Sequence, residues 1–121
     1  MPPQFERDKP IYLQVVDQII QEIVSGSRKA GEKLPSVREL AVESGVNPNT
    51  IQRVYRELDQ RHITVTRRGQ GTFVTKDEIL IAQVRESLKQ QYLHTFLDDM
   101  VALGFTKDDI LKSLKEEKTD A

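Results

Sequence analysis

"PSVRELAVESGVNPNTIQRVYRELDQR", residues 35–61, reads as two short helices with very little between them. Ser36 with Glu39 three residues on is a capping box, and Val37, Leu40 and Ala41 point one face inward. Gly45 closes this helix. Asn47 then caps a second one, with Pro48 at its first position, where a missing N–H leaves no partner unsatisfied. Ile51, Val54, Tyr55 and Leu58 recur at helical spacing and form its buried stripe. Two helices joined by about four residues around Gly45 predict a helix-turn-helix, the arrangement that offers its second helix to a DNA major groove.

Downstream, "ITVT" (63–66) and "TFVT" (72–75) are β-branched runs flanking "RRGQG" (67–71). Two glycines in that loop suit a hairpin, and a hairpin directly after a helix-turn-helix is a wing. Upstream, "DKPIYLQVVDQIIQEIVSG" (8–26) predicts a helix with Pro10 in its first turn and Gly26 in a left-handed cap. Its stripe is Ile11, Val15, Ile19, Ile20 and Ile23. "SRKAGEKLP" (27–35) reads as a polar connection punctuated by Gly31 and Pro35.

From Lys76 the pattern changes to a long helix over about residues 77–102, with Asp77 and Glu78 in a first turn that favours negative charge. Ile81, Val84, Leu88, Tyr92, Phe96 and Met100 make one seam, with Leu93, Leu97 and Val101 beside it. Gly104 stops the helix. Thr106, with Asp109 three residues later, starts a last one carrying Ile110, Leu111 and Leu114. The expected fold is mainly α with a small β-hairpin. Residues 1–75 form a winged helix-turn-helix and residues 76–121 a two-helix dimerisation tail. A lone helical hairpin buries too little apolar surface to satisfy that seam within one chain, so a homodimer is expected.

The 121 residues carry a net charge of −1, which alone argues against nucleic acid, but the charge is unevenly spread. Residues 1–75 hold 11 Lys/Arg against 9 Asp/Glu, and residues 76–121 hold 7 against 10. Within 44–75, five arginines (Arg53, Arg56, Arg61, Arg67 and Arg68) face only Glu57 and Asp59. Such asymmetry points to a basic binding module beside a differently employed segment. There is no cysteine, no apolar run near the roughly 20 residues that cross a bilayer, and no signal-like start. A cytoplasmic protein without membrane association is expected.

The exposed face of the second helix-turn-helix element would show Asn49, Thr50, Gln52, Arg53 and Arg56. Asn and Gln can pair with adenine, Arg with guanine, and Thr can touch phosphate or a thymine methyl. The amides of Asn49 and Thr50, unpaired at the helix start, would also suit a phosphate. Arg38 adds a cation near the start of the preceding helix. Gly69 and Gly71 let the hairpin turn take positive φ, and the bare backbone would let Arg67, Arg68 and Gly69 enter a narrow, electronegative minor groove. A solvated polar face is the alternative for an isolated helix, but the surrounding motif is what such a face needs to act as a reader.

Catalysis has little support: His62 and His94 lie in different elements, and no nucleophile sits in a recognisable signature. Asp98–Asp99 and Asp108–Asp109 read as caps or solvated charge, so neither a metal nor a cofactor is expected.

With these residues in view, the chain resembles the GntR family of bacterial transcription regulators over residues 10–74. The shared punctuation is "G-KLPS-REL", "GV-PNT", "Y-EL" and "RRGQGTFV". The resemblance implies DNA binding by Arg38, by Asn49, Thr50, Gln52 and Arg53, and by Arg68 and Gly69 of the wing. It departs where many relatives read "EG" or "KG": here Arg61-His62 stands, and His62 must make the bend without glycine. About 46 residues follow Thr75, too few for the effector cavity or aminotransferase-like domain of larger members. That resembles the short YtrA-type branch, whose helical tail dimerises and whose members often control transporter operons. The expectation is a repressor binding a double-stranded, dyad-symmetric operator as a homodimer, with room for an unknown small-molecule effector. An adaptor whose tail binds another protein is the competing reading.

Overall fold

The computed structural model describes residues 8–117. The order of elements is α1 (Ile11–Val24), α2 (Val37–Ser44), α3 (Pro48–Gln60), β1 (Thr64–Arg67), β2 (Gly71–Val74), α4 (Glu78–Ala102) and α5 (Lys107–Glu116). The chain divides into two compact units, one ending at Arg85 and the other starting at Glu86. The first unit thus runs past Thr75 and takes in the opening turns of α4.

In the first unit, α1 presents Val15, Val16, Ile19, Ile20 and Ile23 to the core. Ile11, expected in this stripe, is 48% exposed, and Pro10 is the N-cap, not a first-turn residue. Helix geometry explains both: with Pro10 at ψ 138 outside the helix, Ile11 begins the first turn a full turn before Val15, at the rim of the core. Val16 completes the stripe instead. Gly26 takes φ +90 after the helix, as its position predicts.

The capping box of α2 is present in both directions, Glu39 N–H to Ser36 Oγ at 3.1 Å and Ser36 N–H to Glu39 Oε1 at 3.0 Å. These bonds hold the Glu39 carboxyl below the usual glutamate range. Leu40 and Ala41 are buried and Val37 half-buried. Gly45 takes φ +67 at the C-cap, and only Val46 and Asn47 stand between it and α3. Ile51, Val54, Tyr55 and Leu58 are all buried. Tyr55 donates its hydroxyl to the Pro35 carbonyl at 2.5 Å, tying α3 to the approach to α2. Burial pushes its phenol up to about 12.

β1 and β2 pair antiparallel, from Thr64 opposite Val74 to Arg67 opposite Gly71. The connection before α2, read from the sequence as a plain polar link, lies along the other side of β2. Leu34 N–H reaches Thr72 O at 2.8 Å, Val74 N–H reaches Glu32 O at 2.8 Å, and Lys33 bridges to Phe73. Leu34 is buried there, 3% exposed.

The bend between α3 and β1 falls on His62, the one non-glycine residue at positive φ (+62) among the described residues. A left-handed non-glycine residue costs roughly 1–2 kcal/mol, of which glycine's greater unfolded freedom would return part. His62→Gly is therefore expected to stabilise the chain by about 0.5–1 kcal/mol, read as a higher urea midpoint at unchanged slope. A lower midpoint would mean that the imidazole contributes more than its conformation costs.

In α4, Asp77 stands just before the helix and accepts the Leu80 N–H at 3.1 Å. Ile81 and Val84 are half-buried and line a shallow apolar hollow with Ile20, Ile23, Val24 and Ile63. In the second unit, Leu88, Leu97 and Met100 are half-buried, whereas Tyr92, Leu93, Phe96 and Val101 are exposed. Gly104 takes φ +92. α5 opens with a reciprocal Thr106–Asp109 capping box, which holds the Asp109 carboxyl below the usual range. Ile110 is buried, whereas Leu111 and Leu114 are exposed. No helix among the described residues is long and apolar enough to cross a membrane.

Candidate nucleic-acid interface

The outward face of α3 follows from its inward one. With Ile51, Val54, Tyr55 and Leu58 in the core, helical spacing turns Asn49, Gln52, Arg53 and Arg56 to solvent, and all four are exposed. Thr50 is half-buried at the rim. One expectation is overturned: the first amides of α3 are not free for a phosphate. Asn49 N–H bonds Asn47 Oδ1 at 2.8 Å and Thr50 N–H bonds Asn47 O at 2.9 Å. Asn47 is a good cap, and a good cap consumes these donors. Only the side chains of Asn49 and Thr50 remain for recognition.

Arg53 is exposed yet not loose, because its guanidinium lies 3.8 Å from the centroid of the Tyr12 ring of α1. One face of the cation is stacked and its N–H edges stay available. Arg38, in the first turn of α2, is exposed and makes no ion pair among the described residues.

The two wing arginines differ. Arg67 ends β1 and sits 5.4 Å from the Phe73 ring centroid across the hairpin. Arg68 lies in the turn itself with Gly69 and Gln70. Gly69 takes φ +77, and a Cβ there would meet nothing within 4 Å, so the tip is bare. At Gly71, φ is +124 and a Cβ would come within 2.8 Å of Lys33 Cε. The Lys33 stem therefore covers the base of the wing and adds an exposed ammonium to its arginines. No apolar periodicity marks Lys33; only the "G-KL" punctuation carried a signal.

Glu57 is taken by Arg61 at 2.9 Å. The Asp59 carboxylate is taken by the hydroxyls of Thr64 and Thr66. Both acids of residues 44–75 are thus occupied, while Arg53, Arg56, Arg67 and Arg68 have no carboxylate partner among the described residues. Uncompensated arginines beside exposed Asn and Gln suit a polyanion that also carries hydrogen-bonding edges. No group of His, Asp or Glu among the described residues could hold a metal ion.

Comparison with known proteins bears on this surface. A family model described as "Bacterial regulatory proteins, gntR family" matches residues 11–74. The HTH-type transcriptional regulator YhcF of Bacillus subtilis is 44% identical over 115 residues, 95% of each chain. The HTH-type transcriptional repressor YtrA of the same organism is 40% identical over 87 residues, 67% of each chain. Among solved structures, a GntR family transcriptional regulator from Listeria monocytogenes aligns with TM-score 0.87 at 43% identity, over 94% of this chain and 100% of that one. A structure of AraR(DBD) in complex with operator ORR3 aligns with TM-score 0.55 at 31% identity, over 62% of this chain and 90% of that one.

Proposed function

Because the chain belongs to the gntR family of bacterial regulatory proteins and is a DNA-binding transcription regulator, we propose that it represses transcription in the cytoplasm as a homodimer on a dyad-symmetric operator. The observation that carries this reading is the exposed, unneutralised stripe of α3. Asn49, Gln52, Arg53 and Arg56 read base edges in the major groove, with Thr50 at the rim. Arg38 holds phosphate. Arg67, Arg68 and Gly69 follow the minor groove beside it. Blocking polymerase needs nothing beyond occupancy, and the relative YtrA is named a repressor. The chain has no catalytic role in this reading.

Dimerisation uses the second unit. Tyr92, Leu93, Phe96 and Val101 of α4, with Leu111 and Leu114 of α5, leave more apolar side chain in water than a lone chain tolerates well. Ile81 and Val84, first grouped with that seam, are engaged inside the first unit, so the pairing face centres on Tyr92 and Phe96, flanked by Leu88 and Met100. A small-molecule signal is a further proposal. The hollow lined by Ile81 and Val84 encloses only about 10 Å³, room for about one water and far below the roughly 300–1,000 Å³ of most ligand pockets, so such a signal would have to bind elsewhere.

A gel shift with promoter fragments from the protein's own transcription unit, neighbouring transporter genes first, tests the reading. A dimer neutralising about six to ten phosphates should lose about 10³–10⁵-fold in affinity between 50 and 200 mM salt. Binding that ignores salt counts against it. Sedimentation should show twice the 13.9 kDa of one chain. A monomer at micromolar concentration would favour the adaptor reading, in which another protein covers Tyr92 and Phe96.

A further inference from the structure

We propose that Asp59 is a positioning residue that locks the wing to the recognition helix, so that operator affinity depends on a carboxylate that does not itself touch DNA. The inference rests on the reading that α3 and the wing bind together.

Asp59 lies in the last turn of α3, half-buried. Its Oδ1 accepts the Thr64 hydroxyl at 2.5 Å and its Oδ2 accepts the Thr66 hydroxyl at 2.6 Å. Thr66 has one hydroxyl proton, and Asp59 receives it. The 2.9 Å pair between Thr66 and Thr72 must therefore be donated by Thr72. The result is an ordered relay, Thr72 to Thr66 to Asp59, with Thr64 on the second oxygen, linking α3, β1 and β2.

Main-chain bonds from α3 reach only the root of the wing, His62 N–H to Asp59 O at 3.0 Å and Ile63 N–H to Leu58 O at 3.1 Å, while the run before α2 holds β2 from its other side as far as Thr72. The side-chain relay reaches Thr66, the residue before Arg67, and so ties α3 itself to β1 close to the arginine tip. A carboxylate is also a poor choice for its place. It meets the negative end of the helix dipole, α3 has no basic residue in its last turn, and the nearby Arg61 is spent on Glu57. A residue chosen for helix stability would be cationic. An acceptor-only group with two free oxygens is what two hydroxyl donors require.

Asp59→Asn keeps the shape but turns one acceptor into a donor. It is expected to weaken operator binding roughly 5- to 30-fold with unchanged circular dichroism and oligomeric state. Thr66→Val, at an exposed site, removes the relay with Asp59 intact and should reproduce the loss. In a chain already carrying Arg67→Ala and Arg68→Ala, either change should cost less than about twofold, since no arginine remains at the tip to be aimed. Equal binding by both variants, or a full penalty in the arginine-free wing, overturns the proposal. Hydrogen exchange of the hairpin amides, read without DNA, tests the clasp on its own. Asp59→Asn should speed it about tenfold, and unchanged exchange also overturns it. If the parent chain binds no operator fragment while exchange responds as expected, the DNA reading fails and the clasp stands.

Discussion

Replacing Asn49 or Arg68 by alanine is expected to weaken operator binding by about 1–3 kcal/mol each, a loss of about 5- to 150-fold, with the fold intact. Both side chains are exposed, and surface changes of this kind usually shift stability by no more than about 0.5 kcal/mol. Asn49 sits one residue inside the proline start of α3, and its backbone N–H is already held by Asn47. Truncation therefore removes a carboxamide and nothing else, and the loss should concentrate at one base position with the salt slope unchanged. Arg68 has neither the ring that steadies Arg67 nor a carboxylate partner. Its loss should weaken binding to most sequences and flatten the salt dependence by up to about one phosphate equivalent. Fluorescence anisotropy titrations at two salt concentrations separate these signatures. Parent-like affinity in both variants would remove α3 and the wing from the interface.

The second large effect concerns stability. Leu58→Ala should cost about 2–5 kcal/mol, a large part of the roughly 5–15 kcal/mol that holds a domain of this size. Leu58 is fully buried, and its carbonyl receives the Ile63 N–H at the root of the wing. A cavity there cannot collapse without moving either α3 or β1. The urea midpoint should fall at unchanged slope. DNA affinity, corrected for the folded fraction, should fall less than in Asn49→Ala. A cost under about 1 kcal/mol would mean that the core lies elsewhere.

The elements legible in the sequence share one property: their signals are local. The Ser36–Glu39 and Thr106–Asp109 boxes, Pro48 at a helix start, the Ile51–Leu58 stripe and the turn glycines are each written within a few residues. The strand-like run Gly31–Leu34 was not legible, because nothing in "GEKL" alternates and its partner β2 lies some forty residues away. Non-local pairing leaves no period to read. The same holds within the site. Which residues of α3 face outward followed from the buried stripe, but the stacking of Arg53 on Tyr12 and the grip of Asp59 on two threonines depend on how elements meet. Asn47 is legible as a cap, yet the consequence, that the Asn49 and Thr50 amides are used up, lies in the geometry. The bend at His62 is legible from the missing glycine, and His62 takes the left-handed conformation that such a bend demands.

The pairing of Lys33 with Phe73 has one more effect. β2 is flanked on both sides, and what remains open is β1, a run of four residues ending in a cation. Short, charged margins give a neighbouring copy little to extend. The hairpin can thus stand exposed without offering a second copy a long free strand to pair with.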